Sequence, residues 1–352
     1  MSRILIIGNF GFEKNNLNGQ TVRTRTVYRS LVNKLKEYNI KYFDTDSIDI
    51  RSLFNNIQKF IELISEIKRA TCIIIMPAQR TIKYILPLLS ILGVSNKVIM
   101  VAIGGWLYDV AIINNIIKKE LIKLHSILVQ TESLEDKLKS IGIDQVKLFP
   151  NYRINDKTVL ENVHVKNKLK KIVYYSRVMP EKGIEEAIKA IIEINNDYNY
   201  ELFLDIYGPI KINYEGRINE LISKYNFIKY KGVLDENNII PILDQYDCLL
   251  FPTYYEGEGF PGTVLEAMLS GVPIIASDWK YNKELIFDNY NGYIVPTKNV
   301  KAIIDRLCML KLDSELLKKL SENCIKESKK YHENEVIKIL LDDIEGINGK
   351  NK

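Results

Sequence analysis

Short apolar runs separated by longer stretches of mixed character recur along the chain. Residues 3–8 (RILIIG) hold four consecutive aliphatic side chains, and comparable runs stand at residues 41–43, 72–76, 97–103 and 127–130. Runs of this length, bounded by glycine, asparagine or proline, read as strands buried on both faces. Between them, residues 21–38, 55–68 and 112–125 carry helical periodicity. Residues 152–169 interrupt the rhythm, being polar, lysine-rich and without a period, and read as a linker. The alternation then restarts, with strands predicted at 171–176, 202–208, 228–234, 247–251, 272–276 and 291–295. Helices are predicted from 184 and at 238–244, 263–269, 300–310 and 314–330, with a last one at 331–344. Strand–helix alternation of this kind predicts parallel sheets with helices on both faces. The fold class is therefore α/β, with two Rossmann-like domains at residues 1–165 and 166–330 and a terminal segment at 331–352.

Composition narrows the class. The 352 residues are 46% hydrophobic and 26% charged, as in globular proteins, and they suffice for two cores. The longest apolar candidate for a membrane span, residues 84–104, is broken by Pro87 and by Ser95-Asn96-Lys97. Residues 1–8 end their apolar segment at Gly8 without a cleavage site, so no secretory signal is expected. The four cysteines are scattered without a C-x-x-C pair, which fits a reducing cytoplasm. The net charge of +5 is uneven: residues 1–166 carry 24 Lys+Arg against 15 Asp+Glu (+9), and residues 167–352 carry 25 against 29 (−4). The basic first half calls for an anionic neighbour or for solvent. Nucleic acid is not expected, because no basic cluster is interleaved with aromatics and no binding motif appears.

Candidate chemistry concentrates in residues 251–277, FPTYYEGEGFPGTVLEAMLSGVPIIAS. A strand ends at Pro252, a glycine-rich loop carries Gly257, Gly259 and Gly262, a short helix follows, and a second strand begins after Gly271 and Pro273. This is the unit that builds a parallel sheet with a ligand crevice at the strands' carboxyl ends. Loop glycines admit close backbone approach, and a helix start offers free amides and a positive dipole end, which together suit a phosphate. Glu258 and Glu266 stand eight positions apart within it. A carboxylate beyond a phosphate site accepts bonds from vicinal hydroxyls such as a ribose's. Two plainer readings stand beside this one: Thr263-Val264-Leu265-Glu266 also spells a capping box, and Glu258 also reads as a solvated loop acid.

The stretch resembles the Glu-x7-Glu signature of retaining family 4 glycosyltransferases of the GT-B fold, which transfer a sugar from a nucleotide-sugar donor. Further segments are similar to that family. Ser176-Arg177-Val178-Met179-Pro180-Glu181-Lys182-Gly183 resembles its G/S-R-x4-K-G segment, residues 146–151 (VKLFPN) its V-x-P-N segment before the linker, and residues 291–295 its N-G-x-L/I-V strand. Residues 228–234 are similar to the strand and turn by which relatives hold the nucleotide base through backbone groups. The resemblance implies two domains facing across a cleft, with residues 331–352 crossing back to the first domain. It implies catalytic roles for Glu258, toward the sugar, and for Arg177 and Lys182, toward the diphosphate. It implies donor contacts at Glu266, Gly262, Thr263, Val264, Phe260, Pro261, Gly259, Val233 and Gly208. Gly19, Gln20 and Thr21 resemble the family's glycine-containing loop at the first helix, with a plain turn and cap as the alternative.

The resemblance also implies no cofactor and no metal. Asp44-Thr45-Asp46 is a D-x-D string of the kind that holds a metal in the other large glycosyltransferase fold, but it follows a strand of the first domain and reads as a loop and cap. The donor implied is a nucleotide sugar, UDP-linked in preference. The acceptor implied is a glycan or a polyprenyl-diphosphate-linked sugar in capsule, O-antigen or exopolysaccharide assembly. The basic first half is expected to contact a lipid-diphosphate acceptor or the anionic inner face of the plasma membrane through the helix containing Lys118, Lys119 and Lys123, with a solvated helix face as the plainer alternative. The family's histidine after the fourth strand is missing; Gly104-Gly105-Trp106 stands there, Trp106 reading as pocket wall or as core. The competing functions are a nucleotide-sugar epimerase or phosphorylase of the same architecture and a non-catalytic partner subunit.

Overall fold

The apolar runs become the strands of two six-stranded, all-parallel sheets in a computed structural model that describes residues 2–12, 18–47, 57–154, 162–235 and 238–349. Met1–Ile154 together with Glu333–Lys352 form one compact unit, and Asn155–His332 form the other.

In the first unit β1 (Arg3–Gly8), β2 (Asn39–Asp44), β3 (Cys72–Met76), β4 (Val98–Val101), β5 (Ser126–Val129) and β6 (Val146–Leu148) lie in the order β2-β1-β3-β4-β5-β6. Every residue of β3, β4 and β5 is buried, which is why their sequences run apolar without alternation. One face carries α1 (Gly19–Lys34) and the C-terminal helix (Glu333–Gly349), whose Val336, Ile337, Leu340, Ile344 and Ile347 share a core with Ile4, Ile6 and Ile74. Asp343 of that helix fixes it to the sheet, accepting from Ser126 Oγ at 2.6 Å and pairing with Lys147 at 2.5 Å. The other face carries α2 (Ile57–Arg69), α3 (Ile82–Ile91), α4 (Leu107–Ile113), α5 (Asn115–Ile122) and α6 (Glu132–Ser140).

Two departures from the sequence reading come from asparagines. Asn18 accepts from the amides of Gln20 and Thr21 while Thr21 Oγ1 accepts from the Asn18 amide, so α1 starts at Gly19 rather than at residue 21. Asn114 ends α4 and caps α5 through Ile116 and Ile117, splitting what the periodicity predicts as one helix. The inner face of α1 is also unexpectedly cationic. Arg23 is buried between the rings of Phe149 and Tyr152 and donates to the carbonyls of Phe149 and Pro150 at 3.2 and 2.8 Å. Burial pushes its guanidinium down to about 10.

In the second unit β7 (Lys171–Tyr175), β8 (Phe203–Tyr207), β9 (Ile228–Tyr230), β10 (Cys248–Phe251), β11 (Ile274–Ser277) and β12 (Gly292–Val295) order as β12-β11-β10-β7-β8-β9. Helices α7 (Ile184–Tyr198), α8 (Glu215–Ile222), α9 (Ile239–Leu243), α10 (Gly262–Leu269), α11 (Asn282–Leu285), α12 (Val300–Leu312) and α13 (Ser314–Ser328) connect them. The chain divides at residues 154 and 155, earlier than the boundary at 165 read from the sequence. Residues 162–169, expected as linker, pack on the second unit: Leu169 lies in its core and the buried Lys166 ammonium pairs with Asp244 at 2.6 Å. A lysine-rich segment reads as solvated in sequence, and the acid that buries this one stands 78 positions away. Among the described residues no helix is long and apolar enough to cross a membrane.

Candidate active site

In the second sheet, β7 is the first strand, and its neighbours are β10 on one side and β8 on the other. The chain therefore reverses direction of growth between β7 and β10, and the crevice beyond their carboxyl ends is the place where open α/β sheets take ligands. Both segments that the sequence singled out leave the sheet there.

After β7, Arg177 is exposed, Pro180–Lys182 form one tight turn, and Gly183 adopts φ +74° before α7. A Cβ on Gly183 would lie 2.1 Å from the carbonyl oxygen of Pro252, so only glycine lets the two loops pass this closely. Tyr174 holds the turn from below, its hydroxyl donating to the carbonyls of Arg177 and Lys182 at 3.1 and 3.2 Å. Burial pushes that phenol well up, so it stays a neutral donor.

The two loops join through Lys182 and Glu258. The Lys182 ammonium reaches Glu258 Oε2 at 2.6 Å, and both side chains are over nine-tenths buried. Thr253, fully buried, donates its hydroxyl to the same oxygen at 2.9 Å and accepts the Tyr255 amide at 3.2 Å. Among the described residues Oε1 of Glu258 accepts no hydrogen bond, so one carboxylate oxygen is anchored and the other remains for a ligand. The Tyr255 ring lies against both cations, 4.8 Å from the Lys182 nitrogen and 5.1 Å from the Arg177 guanidinium carbon. Trp279 steadies Tyr255 in turn, its indole N–H donating to the Tyr255 carbonyl at 2.8 Å. Glu258 is thus no solvated loop acid.

The helix after this loop settles the capping question. α10 begins at Gly262 with Pro261 as its N-cap and without a side-chain cap. Thr263 is inside the helix, so the Thr263–Glu266 capping box, the plainer of the two readings, does not form, and Glu266 is a buried residue of the second turn. The amides of Gly262 and Thr263 open a helix start where no side chain competes for them, while the Val264 amide donates to the Pro261 carbonyl at 3.2 Å. Gly259 and Phe260 complete the loop, the Phe260 ring buried against Tyr331 at 5.6 Å.

On the other side of β7, Gly208 ends β8 with φ +130°, and its amide donates to the Gly232 carbonyl at 2.9 Å. A Cβ there would stand 1.9 Å from the Ser176 carbonyl oxygen. Val233 follows with its side chain exposed, leaving backbone rather than side chain to act at this turn.

Arg177, Lys182, Gly208, Val233, Glu258, Gly259, Phe260, Pro261, Gly262, Thr263, Val264 and Glu266 all belong to the second unit; Gly19, Gln20 and Thr21 open α1 in the first. The first unit also holds Trp106, whose indole donates to the Ile103 carbonyl at 2.7 Å while its ring packs on the core. Asp44 of the D-x-D string is engaged by backbone: its carboxylate accepts from the amides of Phe10, Phe12 and Asp46 at 3.0, 3.3 and 3.0 Å. Among the described residues no group of three or more histidine, cysteine or acidic side chains is placed to hold a metal ion. The sequence reading missed Thr253, Tyr255 and Tyr174, and it missed that Lys182 meets Glu258 directly. The one signal for the first two was their place in Phe251-Pro252-Thr253-Tyr254-Tyr255, between a strand and the glycine loop.

Comparison with known proteins agrees with this class of architecture. Residues 156–330, half of the chain and nearly all of the second unit, match the family model Glycosyl transferases group 1. The fold is shared with sucrose-phosphate synthase from Thermosynechococcus elongatus, at a TM-score of 0.73 and 16% identity over 100% of both chains. It is shared too with Anabaena HepE in complex with UDP, at a TM-score of 0.75 and 11% identity over 98% of this chain and 100% of that one. Through its second unit the chain belongs to the group 1 glycosyltransferases and has the GT-B fold. Among curated relatives, it is 28% identical over 199 residues to the N,N'-diacetylbacillosaminyl-diphospho-undecaprenol alpha-1,3-N-acetylgalactosaminyltransferase of Campylobacter jejuni. That match covers 56% of this chain and 50% of the relative, so the chain spans about half the length of the curated relative it matches.

Proposed function

We propose that the chain is a retaining glycosyltransferase that moves a hexose or hexosamine from a nucleotide sugar, UDP-linked in preference, to a glycan or polyprenyl-diphosphate-linked acceptor. The observation that carries this reading is the Lys182–Glu258 pair at 2.6 Å across the strand-order reversal, beside Arg177 and the uncapped start of α10. A cation, a second cation and free amides within one crevice suit a diphosphate. The unengaged Oε1 of Glu258 suits sugar hydroxyls, and buried Glu266 suits the ribose. The diphospho-undecaprenol acceptor in the name of the Campylobacter jejuni relative and the UDP of the HepE complex support the acceptor and donor classes. The alpha linkage in the relative's name supports retention, because an alpha-linked donor gives an alpha-linked product only when the anomeric configuration is kept.

In this reaction the bond from the sugar C1 to the diphosphate oxygen breaks and a bond from C1 to the acceptor oxygen forms. Negative charge grows on the departing phosphate, where Arg177 and Lys182 stabilise it most in the transition state. The departing phosphate takes the acceptor's proton, so no protein base is assigned, and the two cations make a divalent metal unnecessary. Work on a lipid-linked acceptor brings the protein to the anionic inner face of the plasma membrane, in capsule, O-antigen or exopolysaccharide assembly.

Thermal denaturation with a panel of nucleotides and nucleotide sugars tests the donor class. Stabilisation by UDP or a UDP-sugar at concentrations above Kd, and none by nicotinamide dinucleotides, is expected. Donor consumption that yields an epimerised sugar or a sugar phosphate without any acceptor would replace this reading with the epimerase or phosphorylase. Binding without turnover in the presence of acceptor would replace it with the partner subunit.

A further inference from the structure

The first unit carries an apolar surface that its own core leaves uncovered. α4 and α5 meet at Asn114, which closes one helix and opens the next: its amide donates to the Val110 carbonyl at 3.0 Å and its side chain accepts from Ile116 and Ile117 at 3.1 and 3.2 Å. Leu107, Ala111, Ile117 and Leu121 already face the core. The remaining isoleucines of the corner therefore point outward, Ile112 at 52%, Ile113 at 84% and Ile116 at 67% exposed. Three isoleucines in five positions on a doubly hydrogen-bonded corner are a fixed protrusion rather than a frayed end. Ile122 at the end of α5 is exposed too, as are Tyr84 and Ile91 on α3. The bond from Lys123 Nζ to Ser90 Oγ at 2.9 Å ties the ends of α3 and α5 together.

Charge says what covers this surface. Residues 80–123, which contain these helices, hold six basic side chains (Arg80, Lys83, Lys97, Lys118, Lys119, Lys123) against two acids, Asp109 and Glu120. Glu120 is spent on Lys123 at 2.7 Å, while Lys118 and Lys119 form no ion pair among the described residues. Exposed isoleucines rimmed by unpaired lysines match an anionic phospholipid bilayer, whose acyl boundary takes the apolar tips and whose phosphates take the ammonium groups. We propose that the Asn114 corner is a membrane-docking wedge, with Ile112, Ile113 and Ile116 inserted at the acyl boundary and Lys118 and Lys119 on the headgroups. The inference deepens the reading of a lipid-linked acceptor and rests on it for its purpose, though not for its measurement.

The test is sedimentation with vesicles of phosphatidylcholine alone and of phosphatidylcholine with one-third phosphatidylglycerol, without donor or acceptor. The full chain is expected to bind the anionic vesicles, more weakly as salt rises, and not the neutral ones. Ile113→Ser/Ile116→Ser should weaken binding by roughly tenfold or more, and Lys118→Gln/Lys119→Gln by about fivefold per lysine at low salt. The melting temperatures of these surface variants should match that of the wild type. Wild-type protein that ignores anionic vesicles at low salt, or isoleucine variants that bind as tightly as wild type, would overturn the proposal. So would a concentration-dependent dimer that the isoleucine pair abolishes in the absence of vesicle binding, because the surface would then belong to a second copy. Loss of transferase activity alone leaves the vesicle result standing, so the two readings fail separately.

Discussion

The Lys182–Glu258 pair has two roles in this account, and a substitution cycle pulls them apart. Both side chains are over nine-tenths buried, and among the described residues the only other hydrogen bond to the shared oxygen comes from Thr253. Lys182→Met keeps the stem against Tyr255 and removes the charge, leaving a buried carboxylate with one hydroxyl donor. Glu258→Leu leaves a buried ammonium with no acid. Breaking a buried pair from one side costs about 3–5 kcal/mol, because an uncompensated charge stays in the interior. Replacing both partners by apolar residues removes that penalty, so Lys182→Met/Glu258→Leu should return to within about 2 kcal/mol of wild type. Its Thr253 hydroxyl falls back on the Glu181 carbonyl at 3.4 Å. Turnover should not return. With the cation gone the double variant should transfer at least about 10²–10³ times more slowly, as for loss of one preorganised charge. Stability is read from denaturant titration and turnover from nucleotide release at saturating donor. A double variant as unstable as the single ones would refute the buried-pair energetics. Lys182→Met with turnover within about twofold of wild type, as for a neutral surface change, would refute its place at the diphosphate.

Three further outcomes are expected. Glu266→Ala should weaken nucleotide binding by about 1.5–3 kcal/mol, the range for charged hydrogen bonds, and calorimetric titration showing unchanged affinity would remove Glu266 from the ribose. Burial pushes the Asp244 carboxyl up, but hydrogen bonds from Lys166 and His164 outweigh it and hold the group below its ordinary range. Its stabilisation is therefore full above the unfolded value of about 3.9 and fades as pH falls through the lower folded value. The stability gap between wild type and Asp244→Asn should accordingly close in acid, and a gap that widens there would contradict the pairing. Transfer should survive excess EDTA; complete loss restored by manganese would overturn the metal-free site.

Local patterns carried most of the fold. The strands at Cys72–Met76 and Cys248–Phe251 were readable because full burial imposes an unbroken apolar run. The glycines at 183 and 208 marked crossings where a Cβ would strike a carbonyl oxygen. What escaped the sequence depends on partners distant in the chain. Lys182 and Glu258 stand 76 positions apart, and a lone lysine and a lone loop glutamate give no sign that they neutralise each other. Thr253 looks like any strand-end threonine until Glu258 folds back onto it. Arg23 and Arg25 break the apolar face of α1 because backbone carbonyls at Phe149, Pro150, Phe10 and Gly11 await them. Asn114 split a helix whose periodicity ran straight through it, and Ile112 and Ile113 stand exposed beside that break.

The central claim, retaining transfer from a nucleotide sugar at the second unit's carboxyl edge, is tested most directly by the product. The full chain is incubated with UDP-N-acetylhexosamines and a short-chain polyprenyl-diphosphate sugar, and the new linkage is read by proton NMR. The account predicts UDP release that depends on acceptor, an alpha-linked product from the alpha-linked donor, and loss of both in Lys182→Met. A beta-linked product would contradict retention. Release of UDP or a changed sugar at the same rate without acceptor would contradict transfer itself.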